Sequence, residues 1–180
     1  MSGRVIAVVG PSGVGKDSLI EALCADLTGI VRARRVITRD ARAGGEAYDG
    51  ISAACFAERA ARGAFALHWT AHGLRYGIPR GVLDDLAQGC DVLANLSRGV
   101  LPDAARLFPA LHVLDVTARP EVLARRLQAR GRESRQEIAR RLARPAPPLP
   151  DAVVVTGIDN SGALTDAVRA ARDALYPVNL

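Results

Sequence analysis

Lysine is almost absent from this sequence of 180 residues, which contains 23 arginines but only Lys16. Aromatic residues are also scarce, at 4% of the chain. Few side chains are therefore available to stack on nucleic-acid bases, and the positive charge is interspersed with acids. The net charge of +5 is explained better by a small anionic substrate than by nucleic acid.

Cysteine is infrequent, and long hydrophobic runs are missing. Cys24, Cys55 and Cys90 are an odd number at wide spacing, which favours reduced thiols over a disulfide framework or a zinc site. No apolar stretch approaches membrane-spanning length, and the first nine residues are too short for a signal peptide. We therefore expect a cytoplasmic protein that does not contact a membrane.

The single lysine closes a glycine-rich segment, Gly10-Pro11-Ser12-Gly13-Val14-Gly15-Lys16-Asp17-Ser18. A β-branched run typical of a buried strand precedes it, and apolar residues at helical spacing follow it. A strand, a glycine-rich turn, a lysine and a helix in this order are typical of a P-loop. We predict that these nine residues bind the phosphates of ATP, because a compact ammonium reaches phosphate oxygens inside such a loop better than a guanidinium does.

The residue after the lysine is unusual. P-loops commonly have serine or threonine there, whose hydroxyl holds Mg²⁺, whereas this chain has Asp17 followed by Ser18. Either the Asp17 carboxylate ligates the metal or the Ser18 hydroxyl does. A third interpretation is that Asp17 only complements the helix dipole.

Predicted strands and helices alternate along the chain, which indicates an α/β fold with a mostly parallel central sheet and helices on both faces. The predicted strands are 4–9, 34–38, 65–69, 74–78, 91–96, 111–116 and 152–156. The predicted helices are 18–27, 52–62, 79–88, 101–107, 119–130 and 161–175. We predict a single P-loop domain over residues 1–180, with an acceptor-binding insert at about 39–78 and a lid at about 130–145.

Two arginine-rich segments are suited to phosphoryl transfer, which requires positive charge directed at the migrating group. Arg39 and Arg42 lie in a glycine-containing loop and could both bind an acceptor phosphate. The second segment, 125–144, contains a glycine hinge after Arg130 and a predicted Ser134–Glu137 capping box, as in a mobile lid. Most of its arginines are expected to be solvated.

These motifs resemble the guanylate-kinase family of P-loop kinases over nearly the whole chain. The matching segments are Gly10 to Lys16, Thr38-Arg39 with Arg42 and Glu46, Gly63-Ala64-Phe65 with Trp69, Tyr76-Gly77-Ile78-Pro79, and Arg130-Gly131 with Glu133-Ser134 and Arg141. The resemblance implies that Arg39 and Arg42 bind the acceptor phosphate. It also implies that Arg130 and Arg141 act with Lys16 in catalysis, by reaching the transferring phosphoryl group.

The positions that read guanine in this family differ here. An acid is replaced by His68, a hydroxyl by Ile78 and an aspartate by Asn95. Each lost hydrogen-bond partner typically costs about 1–3 kcal/mol, so base recognition is not expected. The segments 15–18 and 71–79 are more similar to a phosphonate-pathway branch of the family. That resemblance implies transfer from ATP to the 1-phosphate of ribose 1,5-bisphosphate, giving 5-phosphoribosyl 1-diphosphate.

Several of these predicted roles have alternatives. His72 and Tyr76 are predicted to contact the substrate, although His72 also fits a solvated turn and Tyr76 also fits the core. Glu46 either holds a substrate hydroxyl or pairs with Arg42. The alternative enzyme is a guanylate kinase or other nucleoside monophosphate kinase with a rebuilt base pocket, and the alternative classes are a non-catalytic scaffold and a nucleic-acid binder. A homodimer remains open beside a monomer.

Overall fold

The computed structural model describes residues 3–40, 47–129, 131, 134–143, 145–151 and 153–177, without the side chains of residues 135 and 141. The strands are β1 Val5–Val9, β2 Ile30–Arg32, β3 Val36–Ile37, β4 Asp49–Gly50, β5 Phe65–Ala71, β6 Leu74–Pro79, β7 Asp91–Asn95, β8 Leu111–Thr117 and β9 Val154–Asp159. The helices are α1 Lys16–Asp26, α2 Ala53–Ala61, α3 Val82–Ala87, α4 Leu101–Leu107, α5 Pro120–Ala129, α6 Arg135–Leu142 and α7 Leu164–Leu175, with a 3-10 turn at Arg98–Val100.

The central sheet has the order β2-β7-β1-β8-β9, and each of its pairings is parallel. Every residue of β1 is buried, as expected of a β-branched run in the middle of a parallel sheet. One apolar cluster covers one face of the sheet and includes α4, while α1 and α7 pack on the other face. The predicted α/β fold with helices on both faces is therefore confirmed.

A second sheet, with the order β4-β3-β6-β5, lies between β2 and β7 in the chain. Its β5 and β6 form an antiparallel hairpin, whereas β3 pairs parallel with β4 and antiparallel with β6. The α2 helix covers this sheet through Phe56, whose ring stacks on Phe65 at 4.6 Å. The Ser52 hydroxyl caps α2 by accepting a hydrogen bond from the Cys55 N–H.

Some predicted elements have different bounds. The strand predicted at 34–38 is only Val36–Ile37, and β2 before it was not predicted. The helix predicted from Pro79 is wrong at its start, because Pro79 ends β6 opposite Phe65 and the helix begins at Val82. Proline is tolerated there because the pairing with β5 is irregular at this point, where the register shifts between Phe65 and Leu67. The final strand and helix also begin later than predicted, at Val154 and Leu164.

The cysteines are three free thiols. Burial raises the pKa of the Cys24 thiol, although the nearby Arg32 opposes that shift. Within the part of the chain that the structure describes, every helix is too short or too polar to cross a lipid bilayer.

Candidate active site

The glycine-rich loop follows β1 at the carboxyl edge of the sheet, and its backbone depends on glycine at two crowded places. Gly10 has φ 142°, and a Cβ there would lie 2.2 Å from the Val116 carbonyl oxygen. Gly15 has φ 96°, and a Cβ there would lie 2.6 Å from Asn160 Nδ2. These conformations are strained for other residues, so the sequence dictates the shape of the loop.

Lys16 is the first residue of α1 and lies over the loop that it closes. Its Nζ donates hydrogen bonds to the Gly10 oxygen at 2.8 Å and the Pro11 oxygen at 3.0 Å. The N-terminus of α1 contributes positive partial charge at the same place. An ammonium, a helix terminus and a glycine-rich loop together form a site suited to an anion such as a phosphate.

Two side chains from distant elements hold the centre of the loop. Asn160, directly after β9, is 2% exposed, and its Nδ2 donates to the Val14 oxygen at 2.7 Å. Arg126 of α5 donates to the same oxygen at 3.3 Å. The Asn160 N–H also donates to the Thr117 oxygen, which ties this residue to the end of β8. The loop is therefore braced by both the last strand and the helix before the predicted lid.

Asp17 lies between the loop and the end of β7. Its Oδ1 accepts hydrogen bonds from Asn95 Nδ2 at 3.0 Å and from Arg32 at 3.3 Å. Ser18 is exposed on the next position of α1. No group of three or more His, Cys, Asp or Glu side chains that could hold a metal occurs among the residues described. A metal at this site would therefore take most of its ligands from elsewhere, as Mg²⁺ does when it binds nucleotide phosphates.

A cleft in the insert lies beside Arg39. The Arg39 guanidinium lies 5.7 Å from the centre of the Tyr48 ring, and the Tyr48 hydroxyl donates to the Asp40 oxygen. The cleft is lined by Thr38, Arg39, Asp40, Gly50, Ile51, Ser52, Ala53 and Gly73. A half-buried arginine at the mouth of such a cleft is suited to an anionic ligand.

Tyr76 contacts an aromatic ring of the insert and an arginine that precedes β3. Its ring lies parallel to that of Trp69 at 5.3 Å, and the Arg35 guanidinium lies 5.4 Å from its centre. Arg35 is 8% exposed, and its Nη1 donates to the Asn95 oxygen at 2.9 Å. Arg35 therefore connects the insert to the same strand end that contacts Asp17.

The two histidines of the β5–β6 hairpin do not point into this stack. His72 occupies the exposed two-residue turn with φ 51°, next to Gly73 at the edge of the cleft. His68 packs near the rings of Phe56 and Phe65. It alternates with Trp69 along β5 and so faces the opposite side of the sheet from Tyr76.

Several predicted site residues lie outside the described part of the chain. Arg42, Glu46 and Arg130 are among them, and Arg141 belongs to α6 without a described side chain. The predicted capping box at the start of α6 is confirmed, because the Ser134 N–H and hydroxyl both donate to Glu137 Oε2 at 2.7 Å. The Glu137 N–H donates back to the Ser134 hydroxyl.

The structure also adds residues that the sequence analysis missed around the site. They are Arg32, Arg35, Tyr48, Arg126 and Asn160. One signal was available for Asn160, because polar residues directly after a strand of a parallel sheet collect at its carboxyl edge. The arginines offered no such signal, since nothing local separates them from the solvated arginines of the chain.

Comparisons with known proteins agree with this geometry. No protein-family model matches the chain. It is 54% identical over 168 residues to ribose 1,5-bisphosphate phosphokinase PhnN of Ruegeria sp. strain TM1040, covering 92% of this chain and 88% of that protein. It is 47% identical to the protein of the same name from Brucella melitensis, covering 98% of this chain and 93% of the relative.

Among solved structures, the chain resembles a guanylate kinase from Anaplasma phagocytophilum with a TM-score of 0.66. The match covers 97% of this chain and 85% of that one at 21% identity, which supports the fold alone. The identity of 47–54% over nearly the full length of the PhnN proteins is much stronger evidence of family membership than this structural likeness. The chain therefore belongs to the ribose 1,5-bisphosphate phosphokinase family.

Proposed function

We propose that this protein is a cytoplasmic kinase that transfers the γ-phosphoryl group of ATP to the 1-phosphate of ribose 1,5-bisphosphate. The product is 5-phospho-α-D-ribose 1-diphosphate, as expected of an enzyme in phosphonate catabolism. The observation that carries this proposal is the only lysine of the chain, held over a glycine-rich loop at the start of α1. Membership in the phosphokinase family supports the choice of acceptor.

The reaction requires alignment and charge rather than covalent participation by the protein. An oxygen of the acceptor 1-phosphate forms a new bond to the γ-phosphorus. The bond between that phosphorus and the β–γ bridging oxygen breaks, and ADP leaves with its electron pair. A general base is unnecessary, because the attacking oxygen is already ionised at neutral pH.

Lys16 and the backbone N–H groups of residues 10–18 would hold the donor phosphates, with the exception of Pro11, which has no N–H to donate. Mg²⁺, when bound, neutralises charge on the β- and γ-phosphates. We assign its protein ligand to Asp17 rather than Ser18, because hydrogen bonds from Asn95 and Arg32 orient the Asp17 carboxylate beside the loop. The same contacts argue against a role for Asp17 in complementing the helix dipole alone.

The acceptor would bind in the cleft of the insert. Arg39 and Arg42 are proposed to bind its reacting phosphate, with Tyr76, His72 and Glu46 at the sugar. The exposure of His72 in its turn limits it to the rim of the cleft. Arg130 and Arg141, carried by the lid that follows α5, would offset charge on the transferring group.

The activity can be tested by phosphorus NMR of ATP, Mg²⁺ and ribose 1,5-bisphosphate with the enzyme. We expect a new diphosphate signal together with ADP. Lys16→Ala and Lys16→Arg are both expected to reduce kcat by about 100-fold or more, since removing a single donor at a developing charge costs on that order. The arginine variant keeps the charge but lacks the compact ammonium.

The matched control is Arg34→Met, which removes an exposed arginine outside the glycine-rich loop. This side chain pairs with Asp49 at 2.7 Å on the surface of the insert, so its loss should leave kcat unchanged. Full turnover by the Lys16→Ala protein would contradict the proposal. Rapid turnover of GMP in place of ribose 1,5-bisphosphate would instead identify a nucleoside monophosphate kinase.

A further inference from the structure

A buried arginine lies beside two of the positions at which this chain differs from the guanine-reading pattern. Arg35 is 8% exposed, and its guanidinium contacts the Asn95 oxygen and the face of the Tyr76 ring. Val36 pairs with Gly77, so Arg35 also lies beside Ile78 in the strand register. Ile78 and Asn95 are two of the positions at which this chain lacks the groups that read guanine. A permanent cation therefore lies next to both of these positions.

Arg35 and Arg39 lie at the two ends of one short segment of backbone. The Arg35 and Ile37 oxygens accept hydrogen bonds from Asp49 and Ile51, and the Thr38 N–H donates to the Arg75 oxygen. The segment is therefore extended, and four residues can span at most about 14 Å. Arg35 reaches toward Asn95, whereas Arg39 lies over Tyr48 at the cleft. Two cations separated in this way suit a ligand with an anionic group at each end.

The chemistry of the acceptor matches this separation. A nucleoside monophosphate has one phosphate and an uncharged base, whereas a sugar bisphosphate has a second dianionic phosphate in place of the base. A planar guanidinium binds a phosphate through two parallel charge-assisted hydrogen bonds, and these are stronger than hydrogen bonds to a neutral acceptor. Replacement of base-reading groups by an arginine is therefore a change in the chemical class of acceptor.

We propose that Arg35 binds the non-reacting 5-phosphate of the acceptor and thereby selects a sugar bisphosphate over a nucleotide. This inference rests on the proposed function and deepens it. In this proposal Arg39 and Arg42 bind the reacting 1-phosphate, while Arg35 binds the 5-phosphate at the opposite end of the sugar. Tyr76, which contacts both the Arg35 guanidinium and the Trp69 ring, would also fix the direction of the arginine.

The test is a binding cycle with two proteins and two acceptors. Calorimetry with a non-hydrolysable ATP analogue and Mg²⁺ would measure the Kd of ribose 1,5-bisphosphate and of ribose 1-phosphate for the wild type and for Arg35→Met. Loss of a charged hydrogen-bonding partner predicts a Kd for the bisphosphate that is about 30-fold higher in the variant. The Kd of ribose 1-phosphate, which lacks the 5-phosphate, should change less than about threefold.

Control variants separate recognition from folding. Arg35→Lys should recover part of the affinity for the bisphosphate, and the exposed neighbour Arg34→Met should bind both acceptors like the wild type. Thermal melting of each variant reports its stability. If Arg35→Met does not fold, the same cycle with Arg35→Lys provides the comparison, with a smaller expected loss confined to the bisphosphate.

The outcomes are distinguishable. Equal weakening toward both acceptors would overturn the role of Arg35 and indicate a structural link between the insert and β7. A wild-type protein that neither binds nor phosphorylates ribose 1,5-bisphosphate would remove the proposed function itself. A higher Kd of Arg35→Met for the bisphosphate alone would support both the role of Arg35 and the proposed function.

Discussion

At the scale of single residues, the phosphate loop depends on a side chain that lies 146 positions away. Asn160 is almost fully buried against Gly15 and donates to the Val14 oxygen. Any side chain at position 15 would therefore displace this amide as well as strain the backbone. The glycine at position 15 serves the contact with Asn160, and not only the turn.

A comparison of two glycines tests this point. Gly15→Ala adds a Cβ 2.6 Å from Asn160 Nδ2, whereas Gly29→Ala, at φ 73°, adds a Cβ with nothing within 4 Å. Both variants carry the cost of a left-handed backbone, about 1–2 kcal/mol. We expect the free energy of unfolding, measured in urea, to be lower for Gly15→Ala than for Gly29→Ala by at least about 1 kcal/mol, because the Asn160 hydrogen bond is disrupted. It should also weaken ATP binding, as measured by calorimetry, while Gly29→Ala should not.

Equal loss of stability and unchanged ATP binding in the two variants would contradict the role of Asn160. The comparison does not depend on the identity of the acceptor. It therefore examines the donor loop separately from the insert.

At the scale of elements, sequence patterns were informative where the signal is local. The β1–loop–α1 unit is specified within about 25 residues by a β-branched run, three glycines and helical spacing. The capping box before α6 is also local, since Ser134 and Glu137 are three residues apart. The start of α3 was predicted wrongly because proline, which favours the first turn of a helix, is also tolerated in a sheet where the pairing is irregular.

The parts of the site that the sequence did not reveal depend on long-range contacts. Arg32 meets Asp17 over 15 positions, and Arg35 meets Asn95 over 60. Tertiary packing alone decides which of 23 arginines becomes buried, because the side chains are chemically identical. The predicted roles of Arg42, Glu46, Arg130 and Arg141 remain predictions.

The α6 helix offers a test at this scale. Ser134→Ala removes the hydroxyl that caps α6 and so should cost the helix about 1 kcal/mol. Amide hydrogen exchange over residues 136–142 should then accelerate by about fivefold, while exchange in the fully buried β1 should be unchanged. If α6 belongs to a lid that closes over ATP, kcat should fall by a smaller factor than in the Lys16 variants. Unchanged exchange in α6 would show that the cap does not stabilise the helix.

For the whole molecule, a polar cluster joins β1, β7 and α7 at the edge of the sheet opposite the candidate active site. Arg4 forms an ion pair with Asp91 at 2.9 Å, and the Tyr176 hydroxyl donates to the same carboxylate at 2.6 Å. Arg4 also lies over the Tyr176 ring and donates to the Leu175 oxygen. The start of β1, the start of β7 and the end of α7 are therefore held by one network.

This network gives the protein a defined pH dependence. Burial would raise the pKa of Asp91, but hydrogen bonds from Tyr176 and Arg4 lower it below its usual value. A carboxyl group with a lowered pKa stabilises the fold above the pKa of the unfolded chain, about 3.9, and this contribution is lost as the pH falls through the folded value. Burial also lowers the pKa of His112, so the folded state favours the neutral imidazole. The stability that depends on this neutral form is likewise lost as the pH falls.

The stability of the protein at alkaline pH depends on Tyr176. Burial and the hydrogen bond to Asp91 raise the pKa of Tyr176 to about 12, while Arg4 opposes the shift. The unfolded value is about 10, so the folded state favours the protonated phenol. Its contribution to stability is complete below pH 10 and is lost as the pH rises from about 10 to about 12.

Tyr176→Phe should remove this alkaline dependence. We expect the variant to be less stable than the wild type by about 1 kcal/mol at pH 8, because the hydrogen bond to Asp91 is absent. Between pH 10 and about 12 the free energy of unfolding should decline more steeply for the wild type, so that the two curves converge. Urea unfolding measured across this range tests the prediction, with Tyr48→Phe in the insert as a tyrosine control far from the network. A constant difference between the two curves would show that the phenol of Tyr176 does not couple ionisation to folding.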